Sequence, residues 1–294
     1  MASNSESNRI NGDSCSFLSE LNDDIHLRAP IPIGHSNYSY AEDEEWITHS
    51  LLCRMYVACG TLKLGTETRF TSMVLFRRYV SYYFHLKQKH REEKEDWHHL
   101  GTVAASCLFL GCKVEEEPRR LRDVINVSHL LCFKEKPQNN DDKKTVKISL
   151  NEEPPFLDDT YWESKKTIVD MEQHILRMFQ FDANVSHPYR AVLLLLQALQ
   201  KQKQFSFKQS IDLVQKKSFQ LINNCIFYEP ALRIPILPLA CAAIDYALDE
   251  LHDTTKTHMH KWNFLFSKND ISQEELIIAR TAIIQAKNSL LPND

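Results

Sequence analysis

The side chains best suited to chemistry lie in one short charged stretch, in which Glu115, Glu116 and Glu117 are followed by Arg119 and Arg120. Neighbouring carboxylates can act as general acid and base when their pKa values differ. The two arginines neutralise this cluster, so we expect a solvated, charge-balanced corner instead. The sequence contains no glycine-rich phosphate loop and no GxSxG, HExxH or GxGxxG motif. It therefore predicts no catalytic residue.

Histidine and cysteine, the usual zinc ligands, are frequent in the chain but poorly spaced for a metal site. Histidines occur at 252, 258 and 260 and at 98 and 99, without Cys or acidic partners at ligand spacing. The eight cysteines include no CxxC pair. Several lie inside apolar runs, where a free cysteine behaves as a small core residue. We expect no metal, no cofactor and a reducing compartment, the cytosol or the nucleus.

Length and charge restrict the class of protein further. The 294 residues allow about two ordinary domains, and the net charge of −4 argues against nucleic-acid binding as the main role. No apolar run approaches the ~20 residues that span a bilayer, and the polar N-terminal residues do not resemble a signal peptide. We expect no contact with a membrane.

The elements that must position the charged corner are predicted to be helices. Residues 100–112 are apolar on nearly every side and rich in small residues, which predicts a buried central helix that other helices approach closely. Pro118 disfavours helical geometry at Glu117, so this helix is expected to end there. Because six glycines are few for strand turns, an all-α fold is favoured.

Apolar residues at helical spacing predict further helices on both sides of the central one. In order they cover 41–60, 68–86, 119–131, 158–179, 189–199, 210–227, 235–251 and 272–290. The helix at 235–251 is again rich in Ala and carries a Cys, so the chain is predicted to repeat a unit of about five helices. Polar residues 1–40 predict a mostly disordered N-terminal tail, and polar residues 134–155 predict a long inserted loop.

Several separate segments resemble the cyclins. The string AASCLFLGCKVEEEPRRLRDVINV at 104–127 is similar to the centre of a cyclin box, in the style of the transcription-linked cyclins T, K, L and Q. Residues 73–79 resemble the second helix of the box and residues 170–176 the fifth. Phe181 and residues 186–189 resemble the start of a second box. The resemblance implies two tandem five-helix cyclin boxes behind the flexible tail.

A cyclin is a non-catalytic regulatory subunit, so the resemblance implies a partner. This partner is a cyclin-dependent protein kinase, which the chain would bind as a heterodimer and activate. The transcription-linked group implies a role with RNA polymerase II and a nuclear location. The implied domains are the tail at 1–40, a first box at 41–185 and a second box at 186–294. The subgroup stays open, since the chain has neither the Arg/Ser-rich tail of cyclin L nor the His-rich tail of cyclin T.

The family's kinase contacts carry over onto Lys113 and Glu172. In cyclins these side chains bind the kinase's regulatory helix and the loop before it, the lysine donating to carbonyl oxygens and the glutamate accepting from N–H groups. Val114, Leu176 and Phe181 match family positions that pack on the kinase helix. Taken without the family, the two charged residues would pair with each other and the three apolar residues would lie in the core. Pairing and kinase contact are compatible.

Two other classes of protein stay open. One is a DNA-binding, transcription-factor-like adaptor with two cyclin boxes, which would show a gel shift that weakens steeply with salt. The other is a cyclin-fold scaffold without a kinase. The loop at 134–155 is favoured as a neutral insertion, with a role in partner choice as the alternative. The hydrophobic patch of the cell-cycle cyclins is not evident at 53–57.

Overall fold

The chain is built from α-helices. The computed structural model describes residues 42–90, 97–133, 155, 157–201, 208–252, 262 and 271–288. Within these ranges it contains helices and no strand, which confirms the all-α prediction. None of the described helices is long and apolar enough to cross a membrane. The predicted N-terminal tail and, apart from Pro155, the predicted inserted loop lie outside the described residues.

In the described residues five helices form a first compact unit, which ends at Val185. They are α1 (Glu42–Thr61), α2 (Thr66–His90), α3 (Trp97–Val114), α4 (Leu121–Leu130) and α5 (Asp159–Met178). Helix α3 packs against the other four. Every residue from Leu100 to Cys112 is buried, so the predicted central helix is confirmed.

The second compact unit begins at Ser186. Its described elements are α6 (Pro188–Lys201), α7 (Lys208–Cys225), a short 3-10 helix (Glu229–Arg233), α8 (Ile236–His252) and α9 (Gln273–Asn288). Helix α8 packs against α6, α7 and α9, and its four small residues 240–243 are fully buried. A buried helix rich in small residues thus lies at the centre of each unit.

Helix α2 is longer than predicted, since it continues to His90 instead of ending at Leu86. The added turn contains Lys87, Gln88 and Lys89, which have good helix propensity but no apolar side chain. Apolar periodicity, the basis of the prediction, cannot detect such a turn.

Helix α3 is shorter than predicted, since it ends at Val114 rather than at Glu117. Glu116 adopts a left-handed φ of 54°. This conformation lets the N–H of Glu117 donate to the carbonyl of Cys112 at 2.9 Å, which satisfies a helix-end acceptor. The backbone therefore leaves the helix before Pro118 can disrupt it.

The cysteines in the described part of the chain behave as core residues, as predicted, while Cys15 lies outside it. Cys59, Cys107, Cys112, Cys132, Cys225 and Cys241 are buried and Cys53 is half-buried, all as free thiols. Burial raises the pKa of Cys53 to about 11 and that of Cys59 to about 12. These thiols therefore stay protonated and unreactive at neutral pH.

Helices α2 and α3 approach each other closely at Gly111. A β-carbon at this position would lie 2.1 Å from the Ser72 hydroxyl oxygen and 3.0 Å from the Ser72 Cα. The Ser72 hydroxyl is buried and donates to the Thr68 carbonyl at 2.7 Å. Rotating the hydroxyl away would leave the backbone contact, so an added methyl group requires the helices to separate.

We expect Gly111→Ala to lower the free energy of unfolding by about 1–3 kcal/mol, because overpacking costs more than the better helix propensity of alanine returns. Urea unfolding followed by far-UV circular dichroism measures the change. Gly60→Ala is the matched control, since a β-carbon there meets nothing within 4 Å. It should raise stability by about 0.5–1 kcal/mol. Equal stability of Gly111→Ala and wild type would contradict the close approach.

Candidate protein-interaction site

Lys113 is the first exposed residue after the buried run of α3. It lies in the last turn of the helix, where the negative end of the helix dipole favours a cation. Its side chain is 46% exposed. Its ammonium nitrogen lies 4.1 Å from the ring centroid of Phe109, one turn earlier, in a cation–π contact. The helix therefore carries a charge out of the core and places it over an aromatic ring.

Glu172 faces Lys113 from α5. Its Oε1 and Oε2 accept from the Lys113 ammonium at 2.7 and 2.9 Å. The Glu172 side chain is 8% exposed, so its carboxylate relies on Lys113 for charge compensation. The pairing expected from the residues alone is confirmed. Contact of either residue with a kinase stays a prediction.

Three apolar side chains assigned to the same site are not core residues. Val114 and Leu176 are half-buried, and Phe181 is 71% exposed. The core placement expected without the family is therefore wrong. Val114 follows Lys113 directly, Leu176 lies one turn beyond Glu172, and the Phe181 N–H donates to the Leu176 carbonyl at 2.7 Å. The five residues therefore occupy the end of α3 and the second half of α5 with the turn that follows it.

The backbone at Phe181 is unusual. Gln180 and Phe181 both have left-handed φ angles, of 53° and 63°. Residues with a β-carbon adopt this conformation rarely and at a cost, and such strain is concentrated at functional positions. Here the two residues form the turn that follows α5, and the Phe181 side chain is exposed.

The acidic corner beside this site ties helix ends together. The Oε2 of Glu117 accepts from the Gly65 N–H at 2.8 Å and from the Thr68 hydroxyl at 2.7 Å. These bonds satisfy donors at the start of α2, as an N-cap does. The Oε1 of Glu117 accepts from Arg119 at 2.9 Å. The predicted neutralisation by an arginine is thus confirmed for Glu117. The corner is not merely solvated, however, because the hydrogen bonds of Glu117 and Arg119, here called the clip, also connect helix ends.

Arg119 extends the clip to α1. Its Nε donates to the Leu62 carbonyl at 3.0 Å and its Nη2 to the Lys63 carbonyl at 3.1 Å, in the turn that follows that helix. Glu115 adds a further bond, accepting from the Thr71 hydroxyl at 2.6 Å. The segment after α3 is therefore attached to α1 and α2, which fixes the direction in which α3 ends.

The same hydrogen bonds lower the pKa of Glu117. Burial by itself would raise this pKa, but the donors of Gly65, Thr68 and Arg119 together favour the carboxylate more strongly. The folded protein therefore releases this proton at lower pH than the unfolded chain. The resulting stabilisation is fully present above the unfolded pKa and is lost as the pH falls through the folded pKa.

We expect Glu117→Gln to destabilise the protein at neutral pH, because the amide cannot replace the charge-assisted bonds. The difference from wild type should shrink as the pH falls below the usual glutamate pKa of about 4.3, where the wild-type carboxyl also becomes neutral. Urea unfolding at a series of pH values measures it. Glu116→Gln, at the exposed neighbour, is the control for the loss of a carboxylate from the same corner. A pH-independent difference for Glu117→Gln would refute the clip's electrostatic role.

Two features of this region were not predicted from the sequence. One is the contact of Phe109 with Lys113, although their spacing of four residues on a predicted helix was a usable signal. The other is the exposure of large apolar side chains near the start of α5, with Trp162 55% and Leu157 67% exposed. Pattern rules assign large apolar residues to the core and cannot identify those that remain exposed.

The histidines form no metal site in the described ranges. No group of three or more His, Cys, Asp and Glu side chains that could hold a metal ion occurs there. Two of the clustered histidines, at 258 and 260, lie outside the described residues.

Comparison with known proteins decides the family. Residues 37–184 match the model of the cyclin N-terminal domain. The chain belongs to the cyclin family. This cyclin is 26% identical to Cyclin-L1 of Xenopus laevis and 29% identical to Cyclin-L2 of Homo sapiens, each over 77% of this chain. The alignments cover 40% and 38% of those relatives, so the chain spans about two fifths of their length. These relatives confirm the predicted resemblance to the transcription-linked cyclins.

Solved structures share the fold of this cyclin. Its TM-score is 0.57 against a chain of the yeast RNA Pol II CTD kinase complex CTDK-1, at 19% identity, covering 84% of this chain and 67% of that chain. The TM-score is 0.53 against a viral cyclin from herpesvirus saimiri, at 12% identity, covering 85% of this chain and 88% of that chain. At such identities the likeness concerns the fold alone, and it confirms the predicted cyclin fold.

Proposed function

We propose that this cyclin is the regulatory, non-catalytic subunit of a cyclin-dependent protein kinase that acts in RNA polymerase II transcription in the nucleus. The observation that carries the proposal is the Lys113–Glu172 pair. Lys113 emerges at the surface of the first unit from the end of the buried helix α3, and Glu172 meets it from α5. Membership of the cyclin family supports a kinase as the partner. Likeness to cyclins L, and to a chain of an RNA Pol II CTD kinase complex, supports the process.

The ion pair is suited to recognise a peptide backbone. The Lys113 ammonium has three donors, of which the two contacts with Glu172 use at most two. The remaining donor can bind a carbonyl oxygen of the kinase. The Glu172 carboxylate has lone pairs left for kinase N–H groups. Each charge-assisted hydrogen bond is worth about 1.5–3 kcal/mol.

Apolar anchors complete the proposed contact. Val114 and Leu176 are half-buried beside the pair, and Phe181 is 71% exposed. Burial of a phenylalanine side chain is worth about 1.5–3 kcal/mol, and interfaces depend on a few such anchors. Since Phe181 has the most surface to bury, it is the expected hot spot of the three.

Activation would follow from selective binding. In a kinase without its cyclin the regulatory helix is displaced, so the Lys–Glu ion pair that positions the ATP phosphates is not formed. A cyclin that binds only the inward position of this helix shifts the equilibrium by its differential affinity. The cyclin then does not need to contribute a residue to the site where the kinase transfers the phosphoryl group of ATP.

The proposed domains follow the two compact units. Residues 41–185 form the first cyclin box and residues 186–294 the second, with 1–40 as a tail. The division between Val185 and Ser186 supports this boundary. All five proposed contact residues belong to the first box.

We expect the double variant Lys113→Met/Glu172→Gln to lose its kinase. Replacing both charges leaves no buried carboxylate unpaired, so the fold should persist while at least two charge-assisted bonds, about 3 kcal/mol or roughly a hundredfold in affinity, disappear. Pull-down from the native cell with mass spectrometry of the recovered kinases measures the loss.

The control for this variant is Lys287→Met/Glu250→Gln, which removes a Lys–Glu pair of the second unit together with the contact of Glu250 with Lys217. It should retain the kinase at the wild-type yield. Equal recovery of one kinase by wild type and by a folded Lys113→Met/Glu172→Gln variant would show that the interface assignment is wrong.

We expect Phe181→Asn to weaken kinase binding by about 1.5–3 kcal/mol, roughly tenfold to a hundredfold, without loss of stability. Asparagine tolerates the left-handed backbone of this position, so only the exposed ring is lost. Titration calorimetry with the recovered kinase measures affinity, and thermal unfolding measures stability. Tyr82→Ala, which removes an aromatic ring that is 48% exposed on α2, is the control. The role of Phe181 fails if both variants bind as tightly as wild type.

A further inference from the structure

The ring of Phe109 is in contact with the Lys113 ammonium. The two residues lie one turn apart on α3, and the nitrogen is 4.1 Å from the ring centroid, well within the range of about 6 Å for a cation–π contact. Phe109 is only 9% exposed, so its ring is packed into the first unit. A fixed ring therefore lies beneath a charge on a flexible side chain.

The ammonium therefore contacts two nearly buried groups at once. One is the Phe109 ring, and the other is the carboxylate of Glu172, whose side chain is 8% exposed. A lysine that is 46% exposed would otherwise sample many rotamers, since its stem has four carbons. The two contacts favour one placement of the Lys113 ammonium over the others that its stem allows.

We propose that Phe109 is a positioning residue of the kinase-binding site, because its ring holds the Lys113 ammonium against Glu172 and presents the pair preorganised to the kinase. This inference rests on the proposed function and adds a residue to it. Preorganisation strengthens binding because the conformational entropy of the Lys113 side chain is already lost in the free protein. Kinase binding then does not have to offset that loss. The free energy of a cation–π contact at an exposed site corresponds to a change of about two- to fivefold in affinity.

The electrostatic role can be separated from packing. A phenylalanine that only fills the core would serve equally well with a fluorinated ring of almost the same shape. A cation–π contact instead depends on the negative face of the ring, which fluorination removes stepwise. Fluorination therefore changes the proposed interaction while leaving the buried volume nearly constant.

The experiment incorporates trifluorophenylalanine and then pentafluorophenylalanine at position 109 of the full chain. The dissociation constant is measured by surface plasmon resonance against the kinase that co-purifies with the wild-type chain. We expect affinity to fall in two steps, about two- to fivefold in total. The same replacements at Phe76, which is fully buried in α2, are the control and should leave affinity unchanged.

A second readout needs no kinase. Nitrogen-15 relaxation of the Lys113 ammonium in the free protein should show greater mobility with pentafluorophenylalanine at 109. Unchanged affinity and unchanged mobility, in a protein whose Lys113→Met/Glu172→Gln variant loses the kinase, would overturn the positioning role and leave the proposed function intact. If that double variant keeps its kinase, the proposed function fails, and the relaxation measurement still decides the role of Phe109.

Discussion

The burial of α3 on every side is the constraint on which the first unit depends. Between Leu100 and Cys112 the helix has no exposed residue, so α1, α2, α4 and α5 must all cover it. Close coverage requires small side chains, as Gly111 against Ser72 demonstrates. It also means that the first residue able to reach solvent, Lys113, emerges at one defined place. The proposed binding site is thus a direct consequence of how the core is built.

The corner after α3 shows how charged residues can have a structural role although their types suggest chemistry. Glu117 accepts from the Gly65 N–H just before α2, and Arg119 donates to the Leu62 carbonyl just after α1. Because α1 and α2 also pack on α3, the clip and the packing of the core both fix how these three helices are arranged. Lys113 therefore emerges from a fixed helix end, from which it reaches Glu172 at hydrogen-bond distance.

Apolar periodicity and residue size were sufficient to predict the helices and the central position of α3. They were not sufficient for the helix ends. The described residues with left-handed φ, namely Lys63, Glu116, Cys132, Gln180 and Phe181, are all other than glycine, so the usual signal for such turns is missing. The half-burial of Leu176 and the exposure of Phe181 could not be predicted either, because an apolar residue that stays accessible is of the same type as a core residue. The kinase contact could come only from the family resemblance.

The ion pair seen in the free protein constrains how a kinase could use it. Glu172 is 8% exposed, and a buried carboxylate that loses its partner is strongly destabilised. A kinase that drew Lys113 fully onto its own carbonyl groups would have to compensate that loss. A kinase that binds the pair as a unit, through the spare ammonium donor and the spare carboxylate lone pairs, adds hydrogen bonds without removing any. The unequal burial of the two side chains, 46% against 8% exposed, favours this second mode, with Lys113 as the accessible half and Glu172 as its fixed base.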